Sequence, residues 1–199
     1  MTELSHRAER SLRGGQTQVL EVPMTGLDDG TVVAHTAVRI TVALNQPLSQ
    51  AVARFEELVP AVDIDAFRRS RSWDETIHLA NTNGPLGLMR FWKLDYAAIL
   101  AGSGTPARSF GYLIGNQTIA EQMIRHEPEV VLYAPLRTAI YEGSDGRAFF
   151  VIDQPSALFG SFGNADVTEV GCYLDALVAT LLDALGAVVP AELTPQPAT

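Results

Sequence analysis

The stretch that decides the fold is LRTAIYEGSDGRAFFVID, residues 136–153. Two runs rich in β-branched and aromatic residues flank a short segment that contains Gly143 and Gly146, which is the pattern of a β-hairpin. With residues 143–146 as the loop, Glu142 pairs with Arg147. The stretch therefore predicts two adjacent antiparallel strands.

The assumed loop also assigns a face to every residue of the two strands, because side chains alternate along a strand. One face holds Leu136, Ile140, Phe149 and Val151, and the other holds Arg137, Tyr141, Phe150 and Ile152. Both faces are apolar, whereas a sheet covered on one side alternates apolar with polar residues. Something must therefore cover the second face. The candidates are loops such as 154–165, a twin subunit or a ligand pocket, and we favour the twin subunit.

Outward from the hairpin, the remaining elements alternate between strands and helices. Apolar residues at helical spacing predict a helix over 48–59, a second from Thr118 to Pro128 and a long last helix from Asp166 to Leu185. The other predicted strands are Thr31–Leu44, Leu86–Leu94, Phe110–Ile114 and Val130–Tyr133, with a short partner at Val19–Val22. Because the late strands follow each other without crossover helices, we expect an α+β fold: a two-layer, mostly antiparallel sheet with helices packed on one face.

The composition indicates one folded domain. The 199 residues are 47% hydrophobic and 19% charged, which is too apolar for a disordered chain. We predict flexible tails at 1–16 and 187–199 around a single α+β domain over 17–186.

The charge balance excludes some functions. A net charge of −9 disfavours nucleic acid as a partner. No apolar run is long enough to span a membrane, and the single cysteine, Cys172, rules out an internal disulfide. We therefore expect a cytoplasmic protein without a membrane partner. The four histidines have no metal-ligand spacing, so no metal site is predicted, and no motif identifies a cofactor.

Several segments together resemble a known family. They are FGYLIGN (110–116), RHEP (125–128), VVLYAPLRTAIYE (130–142), SDG (144–146) and VIDQP (151–155). The matching residues are Gly115, Asn116, Pro128, Leu132, Pro135, Glu142, Gly146 and Pro155. The pattern is similar to the domain of unknown function 302 family, most specifically over 86–160.

The resemblance implies a small α+β protein with a mostly antiparallel sheet backed by helices, often a dimer, and it implies no activity. Many members carry Asp-His after the strand where this chain has Asp95-Tyr96. This chain also adds the segment 60–85 and the long last helix.

Arg137 is the most informative charged residue. On the face predicted for it, beside Tyr141 and Phe150, an unpaired guanidinium is costly and requires an anion. The partner is either an acid of the protein, in a structural ion pair, or a bound small acidic or aromatic ligand.

Four further residues each have a structural and a functional interpretation. Asn116 caps a helix or contacts a ligand at its N-terminus, and His126 interacts with the helix dipole or acts as an acid or ligand. Glu142 pairs with Arg147 or serves as a general acid, and Asp153 is a further candidate acid or base. The sequence thus favours a homodimeric small-molecule-binding or sensor module with an anion-compatible pocket near Arg137. The alternative is an enzyme that uses an acidic residue or His126 as its acid or base.

Overall fold

Five strands form one antiparallel sheet in a computed structural model that describes residues 32–105 and 108–194. The strands are β1 (Arg39–Leu44), β2 (Met89–Asp95), β3 (Ser109–Gly115), β4 (Leu136–Glu142) and β5 (Ala148–Asp153). Their order across the sheet is β1-β5-β4-β3-β2. The predicted tail 1–16, the predicted strand Val19–Val22 and residues 195–199 lie outside the described residues.

Within the described ranges the chain forms seven α-helices. They are α1 (Leu48–Leu58), α2 (Ile64–Arg69), α3 (Trp73–Asn83), α4 (Tyr96–Ile99), α5 (Gln117–Ile124), α6 (Pro155–Gly160) and α7 (Ala165–Ala184). Short 3-10 helices occupy Ala101–Ser103, Pro128–Leu132 and Ala191–Leu193. The α+β class and the antiparallel sheet predicted from the sequence are confirmed.

One side of the sheet, the inner face, forms the core with helices α1, α5, α6 and α7. Phe55 of α1 packs against Tyr112 of β3 and Phe150 of β5, with ring centroids 4.8 and 6.1 Å apart. From α7, Leu174, Val178, Leu181 and Leu182 enter the same buried cluster. The helical spacing that predicted α1 and α7 is therefore the spacing of the residues that these helices bury.

The β4–β5 register differs by one residue from the prediction. Glu142 lies opposite Ala148 and Ile140 opposite Phe150, because Gly143 N–H donates to the Arg147 carbonyl at 2.9 Å and keeps Arg147 in the loop. Gly146 supplies the left-handed backbone of this five-residue turn, with φ of 79°. The shift by one residue moves every side chain of β5 to the other face.

The observed register changes which residues share each face of the sheet. Phe150 and Ile152 lie in the core, and Arg137 and Tyr141 share the opposite side with Phe149 and Val151. We call this second side the outer face; its apolar side chains are Trp92, Leu94, Leu113, Tyr141, Phe149 and Val151. The prediction that Arg137, Tyr141 and Phe150 share a face is wrong, whereas a second face rich in apolar residues is present.

Other segments also differ from their predicted structure. The strand predicted from Thr31 begins only at Arg39. In place of the strand predicted over Val130–Tyr133, a 3-10 helix starts at Pro128 and ends at Leu132, and Tyr133 is its C-cap. The predicted loop 154–165 contains α6, whose Pro155 occupies the first helical position. Residues 187–194 continue the fold beyond residue 186, since Leu193 is buried in the core.

Candidate functional site

A cleft of about 840 Å³ is lined by α3, α5 and α7. We call it the interhelical cleft. Helix α3 contributes Trp73 and Ile77, α5 contributes the side from Thr118 to His126, and α7 contributes Asp166 and Tyr173. The cleft lies among the helices, away from the outer face of the sheet.

Asn116 fixes the start of α5 at the edge of this cleft. Its Oδ1 accepts hydrogen bonds from the Thr118 N–H at 2.9 Å and from the Thr118 hydroxyl at 2.7 Å. Its Nδ2 donates to the Gly87 carbonyl at 3.1 Å, which ties the helix to the turn before β2. Asn116 is therefore the N-cap of α5, as one of its two interpretations predicted, and it also lines the cleft.

His126 follows the C-terminal end of α5 and also lines the cleft. Its Nδ1 lies 3.7 Å from Oδ2 of Asp166, in the first turn of α7. Asn164 caps α7 and accepts hydrogen bonds from the N–H groups of Asp166 and Val167 at 3.0 and 3.3 Å. The two helix ends therefore bring an imidazole and a carboxylate together across the cleft.

The charges of the cleft are mainly negative. The carboxylates of Glu121, Asp166 and Glu169 line it together with one guanidinium, that of Arg125, which is ion-paired with Glu121. This ion pair, through the hydrogen bond first and the charge second, raises the pKa of Arg125. Asp166 and Glu169 remain exposed to solvent. The electrostatics of the cleft thus favour a cation, in contrast to the anion predicted near Arg137.

Two aromatic side chains in the lining are unusually exposed. Trp73 is 46% exposed and Tyr173 is 52% exposed. Aromatic rings next to carboxylates are a common setting for binding an organic cation, because the ring faces are electronegative.

The residues predicted to form an anion pocket do not line the cleft. Phe150 is fully buried in the core, and Tyr141 stacks on Phe149 at 5.5 Å on the outer face. Arg137 is exposed on the outer face, and none of the carboxylates in the described residues lies within ion-pairing distance of it. The one-residue change in register removes the predicted grouping.

Glu142 and Asp153 are held in ion pairs outside the cleft. Glu142 pairs with Arg108 at 2.9 Å, and Arg147, its predicted partner, instead contacts Asp145 at 2.7 Å within the turn. Asp153 lies 3.7 Å from Arg39, its cross-strand neighbour on β1. Of the predicted site residues, Asn116 and His126 are the two that the fold brings to the cleft.

Within residues 32–105 and 108–194, no three His, Cys, Asp or Glu side chains are grouped so that they could hold a metal ion. None of the helices in these ranges has both the length and the apolar character that a membrane-spanning segment needs. Cys172 is exposed on α7. Partial burial, together with Asp175 and Glu169, raises the pKa of its thiol, which disfavours the nucleophilic thiolate.

Helix α3, which forms one side of the cleft, was not predicted from the sequence. The run Ser72-Trp73-Asp74-Glu75 matches a capping box, and Ser72 does accept a hydrogen bond from the Glu75 N–H at 3.1 Å. That pattern could have predicted α3, and with it the position of Trp73 one residue after the cap.

Comparisons with known proteins identify a matching family and a similar solved structure. Residues 65–188 match the profile of a family described as domain of unknown function DUF302. Both α3 and α7 lie within this match, so the prediction that the segment 60–85 and the long last helix are additions of this chain is wrong for these two helices. A similar solved structure is that of an uncharacterized conserved DUF302 protein from Bacillus stearothermophilus, with a TM-score of 0.56 and 15% sequence identity. The similarity covers 74% of this chain and 97% of that one, and at this identity it establishes a shared fold. The comparison with curated proteins produced no match.

Proposed function

We propose, from the premise that the chain belongs to the family called domain of unknown function DUF302, that it is a small-molecule-binding protein whose ligand occupies the interhelical cleft. The observation that carries the proposal is the cleft itself. Its volume of about 840 Å³ lies within the range of about 300–1,000 Å³ that is usual for ligand sites.

The chemistry of the lining defines the class of ligand. Asp166 and Glu169 supply negative charge that no lysine or arginine of the cleft pairs with, and Trp73 and Tyr173 supply exposed ring surface. An organic amine with an aromatic or apolar body matches both features. The proposed ligand is therefore a cationic small molecule. Of the small acidic or aromatic ligand that the sequence suggested, the proposal keeps the aromatic body and replaces the negative charge by a positive one.

An enzymatic role has less support. Of the predicted acid or base residues, Glu142 and Asp153 form ion pairs away from the cleft, and His126 lines it with its imidazole 3.7 Å from Asp166. A catalytic carboxyl is usually buried to hold it partly protonated, whereas Asp166 and Glu169 are exposed. This arrangement favours binding over acid-base catalysis.

Two probes of similar size and opposite charge test the proposal. Phenethylamine and phenylacetate share a phenyl ring with a two-carbon arm. In NMR spectra, the indole N–H signal of Trp73 reports on the cleft and that of Trp92 reports on the outer face. We expect phenethylamine at millimolar concentration to shift the Trp73 signal and phenylacetate to leave it unchanged.

A matched pair of variants completes this test. The double change Asp166→Asn and Glu169→Gln should weaken phenethylamine binding about fivefold, since it removes about 1 kcal/mol of charge attraction. Asp183→Asn removes an exposed carboxylate near the other end of α7 and should leave binding unchanged. Equal binding of the two probes, or an unaffected double variant, would disprove the cationic site.

The outer face is the basis of a second proposal, that two copies of the chain associate through it. Its centre is apolar, and its charges are the Arg39–Asp153 pair and the guanidinium of Arg137. In a chain of net charge −9, this face therefore carries no excess of negative charge. Two copies can approach here with less repulsion than through an acidic surface, so a second copy is the occupant we propose.

A further inference from the structure

A second, smaller cavity of about 160 Å³ lies where the sheet meets α5, α6 and α7. We call it the apolar cavity. Most of its wall consists of large apolar side chains, namely Phe91, Met123, Pro135, Leu136, Phe159 and Leu174. An empty cavity of about 150 Å³ in another protein is known to admit benzene, so the space suffices for one small ring.

One residue of the lining, Gln117, carries a polar atom that lacks a partner among the described residues. Oε1 of Gln117, the first residue of α5, is buried and accepts no hydrogen bond from the described residues. The other amide in the wall, Asn116, is already engaged by Thr118 and Gly87. A buried acceptor without a donor is unfavourable, so an occupant that donates a hydrogen bond would remove that cost.

From these two observations we infer that the apolar cavity is a binding site for a small apolar group, of the size of one ring, that carries one hydrogen-bond donor. The donor binds Oε1 of Gln117, and the ring contacts the apolar wall. The site goes beyond the amine site of the interhelical cleft and does not depend on it. The two cavities share Asn116 and Ile119 in their linings, so the occupants of the two sites would be neighbours.

Phenol and toluene test this inference, because they differ by a single hydroxyl donor. The methyl group of Met123 reports on the apolar cavity by NMR, and the indole of Trp73 reports on the cleft. We expect phenol to shift the Met123 signal and to bind roughly two- to twelvefold more tightly than toluene, the range that one neutral hydrogen bond provides.

Two variants test separately the hydrogen bond to Gln117 and the space inside the apolar cavity. Gln117→Met removes the acceptor with little change in length and should abolish the preference for phenol over toluene. Gly115→Ala adds a methyl group to the wall, where it would lie 3.6 Å from Pro135 in ordinary contact, and should weaken both probes about tenfold. Gly102→Ala is its control, since nothing lies within 4 Å of that position, and should bind both probes as the wild type does.

The results distinguish this site from the cleft. If neither probe shifts Met123 at 10 mM, or if Gln117→Met keeps the preference for phenol, the inference is overturned and water is the occupant. A shift of Trp73 without a shift of Met123 would overturn it as well, because phenol would then bind in the cleft. None of these outcomes affects the test of the cleft with phenethylamine.

Discussion

At the scale of single residues, the pKa of Tyr112 is strongly shifted by its surroundings. Its ring is fully buried in the core, and its hydroxyl donates to Oε1 of Glu56 at 3.0 Å. The same carboxylate binds Lys93 at 2.5 Å and lies 3.6 Å from Arg90. Burial first, and the negative charge of Glu56 second, raise the pKa of Tyr112 far above its usual range.

This pKa shift predicts a loss of stability at alkaline pH. Tyr112 stays neutral in the folded state, whereas an unfolded tyrosine ionises near pH 10, so its contribution is complete below pH 10 and declines as the pH rises further. The free energy of unfolding should fall by about 1.4 kcal/mol from this group between pH 9 and pH 11. The variant Tyr112→Phe has no hydroxyl to ionise, so its free energy of unfolding should not show this part of the decline. Urea titrations at a series of pH values measure the free energy of unfolding of both proteins.

Tyr173→Phe is the control, because the side chain of Tyr173 is half exposed. This variant should show the same dependence of the free energy of unfolding on pH as the wild type. If wild type and Tyr112→Phe lose stability in parallel above pH 10, the hydroxyl of Tyr112 is not held neutral by its surroundings.

At the scale of elements, the turn between β4 and β5 determines which residues the core contains. The turn is one residue longer than the loop 143–146 predicted from the sequence. This difference alone places Phe150 in the core and Phe149 on the outer face, so that the predicted pocket around Arg137 does not form. Gly146 has a φ of 79°, and no atom lies within 4 Å of the position that a Cβ would occupy. The requirement for glycine is therefore one of backbone conformation and not of space.

We expect Gly146→Ala to lower the free energy of unfolding by about 1–2 kcal/mol, the cost of a left-handed alanine. Gly146→Asn should cost less, because asparagine tolerates this conformation. Gly102→Ala lies in open space without a positive φ and should change stability little. Chemical denaturation measures all three, and an alanine at 146 as stable as the wild type would exclude strain in the turn.

The elements also show what could be predicted from the sequence. Helices α1, α5 and α7 were predicted because their buried stripes repeat at helical spacing, and β4 and β5 because their residues favour strands. The 3-10 helix at Pro128–Leu132 was mistaken for a strand because its valines favour strands more than its proline favours a helix start. The cleft could not be predicted, because the proximity of His126 and Asp166 depends on how α5 and α7 pack, which no local pattern encodes.

At the scale of the whole molecule, the outer face presents one exposed apolar side chain, Trp92, together with the half-buried side chains of Leu94, Leu113, Tyr141, Phe149 and Val151. Trp92 is 44% exposed, and Tyr96 of α4 approaches Gly111 beside it. Monomeric proteins rarely expose large contiguous apolar patches. We therefore expect the outer face to decide whether the chain is monomeric or associates with a second copy in solution.

We expect the wild type to sediment at twice the chain mass of 21.5 kDa at about 50 μM, a concentration at which a dimer of micromolar affinity is largely formed. Trp92→Glu places a charge on the outer face and should sediment at the mass of one chain. Leu132→Glu changes a residue that is 71% exposed outside the sheet and should leave the mass unchanged. A wild-type monomer at this concentration would contradict the proposed association.

The position of β1 has a consequence for how the protein can be shortened. The family segment begins at residue 65, yet β1 pairs along its whole length with β5, and α1 covers the core at Phe55. A fragment cut at the family limits, 65–188, would lose both elements, and β5 would become a bare sheet edge prone to aggregation. The segment that the family profile matches is thus shorter than the unit that folds. Recombinant fragments of this protein should start no later than Arg39 and extend through Leu193.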